Sequence, residues 1–178
     1  MGCDIHAFIE RKLWREKDGG WHWSTWASPD LSRNYSLFYV LAGVRYDENR
    51  MPPGLGAQQK GLPKDVGDWV WREYGDDYHS ASWMDVNELR AAHERYCSME
   101  EASGSSWYQP SPPSVQAVPD GARVKETVNI LGMTEWYVET GENVKNSPLA
   151  EIVAVVAAME ALNDGDATRT RLVFWFDN

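Results

Sequence analysis

Cysteine is scarce in this chain: Cys3 and Cys97 are the only two among 178 residues, and no Cys-x-x-Cys spacing exists. A disulfide framework or a structural zinc knuckle therefore has no support, and a reducing compartment is the simpler expectation. Long apolar runs are missing as well. No stretch approaches the ~20 residues that a helix needs to cross a bilayer, and the N-terminus lacks a basic region followed by an apolar one. Met1-Gly2-Cys3 opens like a lipidation signal, but position 6 is His6, where N-myristoylation wants Ser or Thr. A cytoplasmic protein without membrane attachment is expected. Positive charge is in deficit, 17 Lys+Arg against 27 Asp+Glu for a net charge of -10, so duplex nucleic acid is not an expected partner. A small anion stays admissible, because a pocket needs only a few Arg or His groups whatever the global sign. Catalytic signatures are absent too: four His form neither His-x-His nor His-Glu-x-x-His, and there is no Gly-x-Ser-x-Gly elbow.

Aromatics are what the chain has in excess, with ten Trp and eight Tyr. Some must be exposed, and an indole with a flat apolar face and a polar tip suits stacking on a ring ligand or burial at a subunit interface. The plainer alternative is that bulky rings fill gaps between loops.

The length suits one substantial core, and the pattern along it predicts a single α+β domain spanning 1–178, with a mostly antiparallel or mixed sheet and about three packed helices. Met1 to Glu10 reads as a strand with Ile5, Ala7 and Ile9 on one face and Asp4 and His6 on the other. After the turn Glu16-Lys17-Asp18-Gly19-Gly20, the alternating run Trp21 to Trp26 completes a hairpin. Helical spacing predicts helices from about 34, 84 and 148. The first carries Leu37, Phe38, Val40, Leu41 and Val44. The second has Asp85 as N-cap with Glu88 as reciprocal partner, and the third has Ser147 as N-cap with Pro148 at its first position and a stripe of Leu149, Ile152, Val153, Val156, Met159 and Leu162. Residues 46–68, rich in Gly and Pro, read as a long functional or mobile loop. Trp69 to Tyr74 fits a strand or a short helix. The Ser/Pro-rich stretch 98–121 reads as an exposed insertion, and Val124 to Glu139 as strands interrupted at Gly132. Arg171 to Phe176 is apolar on both faces, as a central strand is, and should lie beside the first strand.

Three constellations can carry chemistry. Asp4 and His6, two apart on a strand, can share a divalent ion, with His79 in a loop and Asp177 at a strand end as the further ligands; a hydrogen-bonded Asp–His dyad is the alternative. Ser32-Arg33-Asn34-Tyr35 stands at a helix start, where free amides favour anions, though Asn34 or Ser32 can simply cap while Arg33 pairs with a carboxylate. Tyr78-His79-Ser80-Ala81-Ser82-Trp83 gathers an imidazole, two hydroxyls and an indole able to grip a phosphate or ribose and stack on a base; its plain alternative is a polar turn anchored by Trp83.

Several blocks in order resemble a family of small proteins encoded by bacteriophages and prophages, beginning Met-Gly-Cys-Asp-Ile-His. They are that opening, Arg33-Asn34-Tyr35-x-Leu37-Phe38 continuing into Leu41-Ala42-Gly43-Val44-Arg45, Gly61-Leu62-Pro63-x-Asp65-Val66, Asp76-Asp77 ahead of His79-Ser80-x-Ser82-Trp83, and Val173-Phe174-Trp175-Phe176-Asp177-Asn178. The stretch from Ser98 to Lys145 lies outside the resemblance. What it implies is a phage context, an infected bacterial cytoplasm, and a role against host defences that signal with nucleotides.

The function expected is binding of a small phosphorylated, nucleotide-like ligand, with Arg33 and Arg45 on phosphate, His79, Ser80 and Ser82 hydrogen-bonding, Trp83 or Tyr35 stacking, and Asn34 counted among the ligand-binding residues. No cofactor is expected for that role. The alternatives are a metal-dependent phosphoesterase with a divalent ion held by Asp4, His6, His79 and Asp177, and a protein–protein inhibitor of a host enzyme. A homo-oligomer is a further expected association, through the exposed aromatics.

Overall fold

The structure is a computed structural model that describes residues 2–47, 51–102, 106–109, 123–128, 134–139 and 143–177. In chain order its elements are β1 (Ile5–Arg15), β2 (Gly20–Ala27), α1 (Tyr35–Ala42), α2 (Asp68–Glu73), β3 (His79–Met84), α3 (Val86–Ser98), β4 (Glu100–Ala102), β5 (Ser106–Gln109), β6 (Arg123–Val128), β7 (Thr134–Glu139), β8 (Asn143–Lys145), α4 (Ala150–Leu162) and β9 (Thr170–Phe176). Two compact units divide them, 1–98 with 147–178, and 99–146.

The larger unit is an α+β domain on a four-stranded antiparallel sheet of order β2-β1-β9-β3. β1 and β2 form the hairpin expected from the alternating Trp run, closed by a single 3-10 turn and by Gly19 in the left-handed conformation (φ 60). The first and last strands are neighbours in the register Ile5↔Phe176, Ala7↔Phe174, Ile9↔Leu172. Opposed residues share a face, so these six make an apolar surface against which α3 and α4 lie, with Phe38 of α1 meeting Phe176 edge-on at 5.0 Å.

The reverse face is covered as well. Phe8, Ala81, Val173 and Trp175 form a second core with Val70 of α2, joined by Leu62, Val66, Tyr74, Tyr78 and Trp83. This is why β9 is buried at every residue, and why α2 forms where 69–74 was ambiguous: Val70 is its buried residue and needs a helical turn to reach the sheet. Between these apolar residues, Arg171 donates to Glu10 (2.7 Å) and to Asp65 (2.7 Å), while the other Glu10 oxygen accepts the Gly67 amide at 2.7 Å. Both charged side chains of the central pair are almost wholly buried. Their partners belong to the segment that the sequence marks as irregular, so that segment is clamped to the sheet rather than loose. Further ties are Gly61 N–H to Ala81 O, Lys60 N–H to Ser82 Oγ, Ala57 N–H to Val40 O and the Tyr39 hydroxyl to Pro52 O. Residues 48–50 lie outside the described residues.

Caps fix the helix ends, with one departure from expectation. Asn34 Oδ1 accepts the Leu37 amide at the start of α1. Asp85 Oδ1 accepts the Asn87 and Glu88 amides while Glu88 returns to the Asp85 amide, a complete capping box for α3. α4 does not begin at Ser147-Pro148: its N-cap is Leu149, with no side-chain cap. The Leu149 amide donates to His93 Nε2 at 3.0 Å, and Leu149 keeps extended dihedrals, so the helix starts after it. The buried stripe of α4 is Ile152, Val155 and Met159. Val153 sits about 100° round the axis from Ile152 and is half exposed.

The smaller unit is built of strands. β4 pairs antiparallel with β8, and β5-β7-β6 form a three-stranded antiparallel sheet. Of the Ser/Pro-rich insertion expected over 98–121, β4 and β5 are described, while 103–105 and 110–121 lie outside the described residues. So does the interruption expected at Gly132. Among the described residues no helix is long and apolar enough to cross a membrane.

Candidate functional site

Asp4 ends the N-terminal arm immediately before β1, and Asp177 follows β9, so the antiparallel register brings the two acids side by side. The Asp4 amide donates to Asp177 Oδ1 (2.9 Å) and the Asp177 amide to Asp4 O (3.2 Å). Arg33, in the arm leading to α1, grips Asp4 through Nε (2.7 Å) and Nη2 (2.6 Å), a bidentate fork with the strong geometry of a charge-assisted pair. Asp177 Oδ2 lies 3.0 Å from His6 Nε2. The Arg33 bonds hold the Asp4 carboxyl below its ordinary range, and the bonds that Asp177 makes to His6 and to the Asp4 amide do the same for its own carboxyl. Arg33, Asp4, Asp177 and His6 thus form one chain of bonds that stitches the two ends of the unit together. The Ser32 hydroxyl donates to Glu151 of α4, and Asn34 caps.

A separate hollow of about 320 Å³ opens beside the C-terminal end of α1, lined by Gly43, Val44, Arg45, Gln59, His79 and Ser80. Three residues singled out by the sequence, Arg45, His79 and Ser80, meet here. Arg45 (φ 60) and Ser80 (φ 55) both occupy the left-handed region, which is costly for side chains with a Cβ and tends to persist where surrounding structure enforces it. At Ser80 the cause is visible: the β3–β9 register shifts between His79 and Ser82. His79 Nδ1 lies 2.9 Å from Ser80 Oγ, and its Nε2 is buried without a hydrogen-bond partner among the described residues. The Arg45 guanidinium stands 5.7 Å from the Tyr35 ring centre.

A helix C-terminus ordinarily repels an anion through its open carbonyls. Here three of the four are occupied. Tyr39 O accepts the Gly43 amide, Val40 O the Ala57 amide, and Ala42 O the Gln59 side-chain amide at 2.9 Å. Gln59 is a lining residue that no pattern in the sequence distinguishes, because its place depends on how the clamped segment folds back over α1.

The rest of the expected ligand set is dispersed. The run 79–84 is the edge strand β3 and not a polar turn, so successive side chains leave on opposite sides. Ser82 is buried and accepts the Lys60 amide. Trp83 belongs to the second core, with Lys60 Nζ 4.0 Å over its ring. Neither reaches the Arg45 hollow, and Arg33 is committed to Asp4. The metal set Asp4, His6, His79 and Asp177 does not assemble as a cage: no group of three or more His, Cys, Asp or Glu side chains able to hold a metal ion occurs among the described residues. The physical reason is that Arg33 takes Asp4, His6 takes Asp177, and His79 turns to Ser80. A larger cleft, of about 720 Å³, lies between β2 and the segment 65–69, where the turn enters α2. Its only signal in the sequence was the Trp-x-Trp alternation of β2. The chain matches no protein-family model, no curated protein and no solved structure.

Proposed function

We propose that the protein binds a small phosphorylated, nucleotide-like ligand in the Arg45 hollow, and that in a phage-infected cell it sequesters such a molecule from a host defence pathway. The single observation that supports this most is the buried, unpartnered His79 Nε2 in a hollow that also holds Arg45 and Ser80. If the Ser80 hydroxyl donates to Nδ1, the ring proton sits on Nε2 and offers a donor to a phosphoryl oxygen. Arg45 brings a positive charge to the lining. Its volume of about 320 Å³ is at the small end for ligand pockets, enough for a phosphorylated sugar, with Tyr35 beneath Arg45 as the surface for a base. Bonding within the Arg33–Asp4–Asp177–His6 chain would hold the nearby strand ends in place.

Calorimetric titration with nucleoside monophosphates and cyclic dinucleotides tests it. At least one should bind and be released intact on heating, and Arg45→Ala and His79→Ala should each weaken binding by about tenfold or more. No binding by any of them to the folded protein would overturn the proposal. Recovery of a cleaved product would replace sequestration with phosphoester hydrolysis.

A further inference from the structure

The cleft between β2 and the 65–69 segment has a different chemistry from the Arg45 hollow, and we propose that it is a binding site for a neutral oligosaccharide. Its walls are Lys12 and Arg15 from β1, Trp21 to Thr25 from β2, and Asp65, Asp68 and Trp69 opposite. Two cations and two carboxylates make the lining electrically balanced. A phosphorylated ligand entering here would meet Asp65 and Asp68.

Aromatic platforms are the second feature. Trp69 is 60% exposed and Trp21 47% exposed. Trp21 is braced at its edge by Trp14 (5.7 Å), and the Arg169 guanidinium stands over one face of its ring (4.9 Å), leaving the other face for a ligand. Trp23 is fixed more firmly, under Arg171 at 3.8 Å, with its indole N–H bonded to Asp65 at 2.9 Å. Burial alone would raise the Asp65 carboxyl, but the Arg171 and Trp23 bonds outweigh it and hold it below its ordinary range. Prearranged indoles of this kind lose little conformational entropy on binding. A pyranose ring has an apolar C–H face that fits a flat indole and a rim of hydroxyls that need both donors and acceptors.

Those partners are present and unspent. Thr25 Oγ1 and His22 Nε2 are buried without a hydrogen-bond partner among the described residues; Asp18 stands 3.5 Å from His22 but out of hydrogen-bonding alignment. Buried polar atoms left unpaired are costly, and a hydroxyl-rich ligand would satisfy them. Asp68 adds an acceptor, and Lys12 and Arg15 add donors. The volume of about 720 Å³ admits more than one sugar ring. An added peptide strand along the β2 edge is the less favoured occupant. The Gly67 turn crowds that edge, since a Cβ at Gly67 would stand 3.0 Å from Trp23 O, which interrupts the continuous backbone pairing such a strand requires.

The experiment is an NMR titration of the whole protein, following the indole N–H signals, with maltohexaose, cellohexaose and chitohexaose up to millimolar concentration, and with ADP and an extended hexapeptide as competitors. At least one saccharide should shift the Trp21 or Trp69 signal saturably. Trp69→Ala and Thr25→Val should each weaken that binding by about tenfold with an unchanged thermal midpoint. Arg45→Ala should leave it unaltered, which separates this site from the nucleotide reading. Silence with all three saccharides, or tighter binding of ADP or of the peptide at these two tryptophans, would overturn the proposal.

Discussion

At the scale of single residues, the most consequential group is Glu10, an acid in mid-strand whose neighbours along the same face are Phe8 and Lys12. Only the pairing Glu10↔Arg171 across β1 and β9 explains how a carboxylate is buried there. Its second oxygen accepts the Gly67 amide, and a Cβ at Gly67 would come within 2.8 Å of it, so both charge and space at this point are fitted to one geometry. Removing the acid leaves Arg171 buried with only Asp65 to compensate. Glu10→Ala should therefore cost about 3 kcal/mol in urea-induced unfolding, whereas replacing both partners, Glu10→Met with Arg171→Met, should cost less than the single change.

At the scale of elements, local chemistry explains helix starts where the capping residue has no competing bond. Asp85 and Glu88 form their reciprocal box as the spacing predicts, and Asp85→Ala should lower stability by about 1 kcal/mol, read from the thermal or urea transition, while leaving the fold unchanged. Ser147-Pro148 has the same local credentials, and the helix nonetheless begins later. The difference is tertiary: His93, on a helix distant in sequence, takes the Leu149 amide. Burial pushes the His93 ring toward its neutral form, the form whose nitrogen can accept that bond. β3 shows a further limit of local reading. Its polar residues read as a turn, but a neighbouring strand with free edge groups recruits them, and the register shift at Ser80 lets His79 and Trp83 serve different surroundings.

At the scale of the whole molecule, the smaller unit leaves and rejoins the chain at one place. Glu100↔Lys145 pair across β4 and β8, and the Asn146 amide donates to Met99 O at 3.2 Å. The sheet order β2-β1-β9-β3 uses no strand from 99–146. Replacing residues 100–145 by a short Gly/Ser turn should therefore leave the larger unit folded, with its cooperative unfolding transition retained and its dispersed methyl and indole NMR signals preserved. Loss of cooperative unfolding would mean that the smaller unit contributes to that fold.

The sequence by itself determined the α+β class, the hairpin, the position of α1 and the box that starts α3, because each rests on periodicity or on bonds between residues a few places apart; that the first and last strands are neighbours was an expectation from the apolar character of both, and the register bears it out. It also marked Arg45, His79 and Ser80. What only the tertiary structure decided is which polar groups are already spoken for. Arg33 and Asp4 read as a ligand-binding cation and a metal-binding acid until the fold places them in one fork. Gln59 and the turn at 65–67 read as loop until the Glu10–Arg171 pair fixes the segment that carries them. Pairing at long range assigns each charge to a partner or leaves it for a ligand, and spacing along the chain carries no information about that choice.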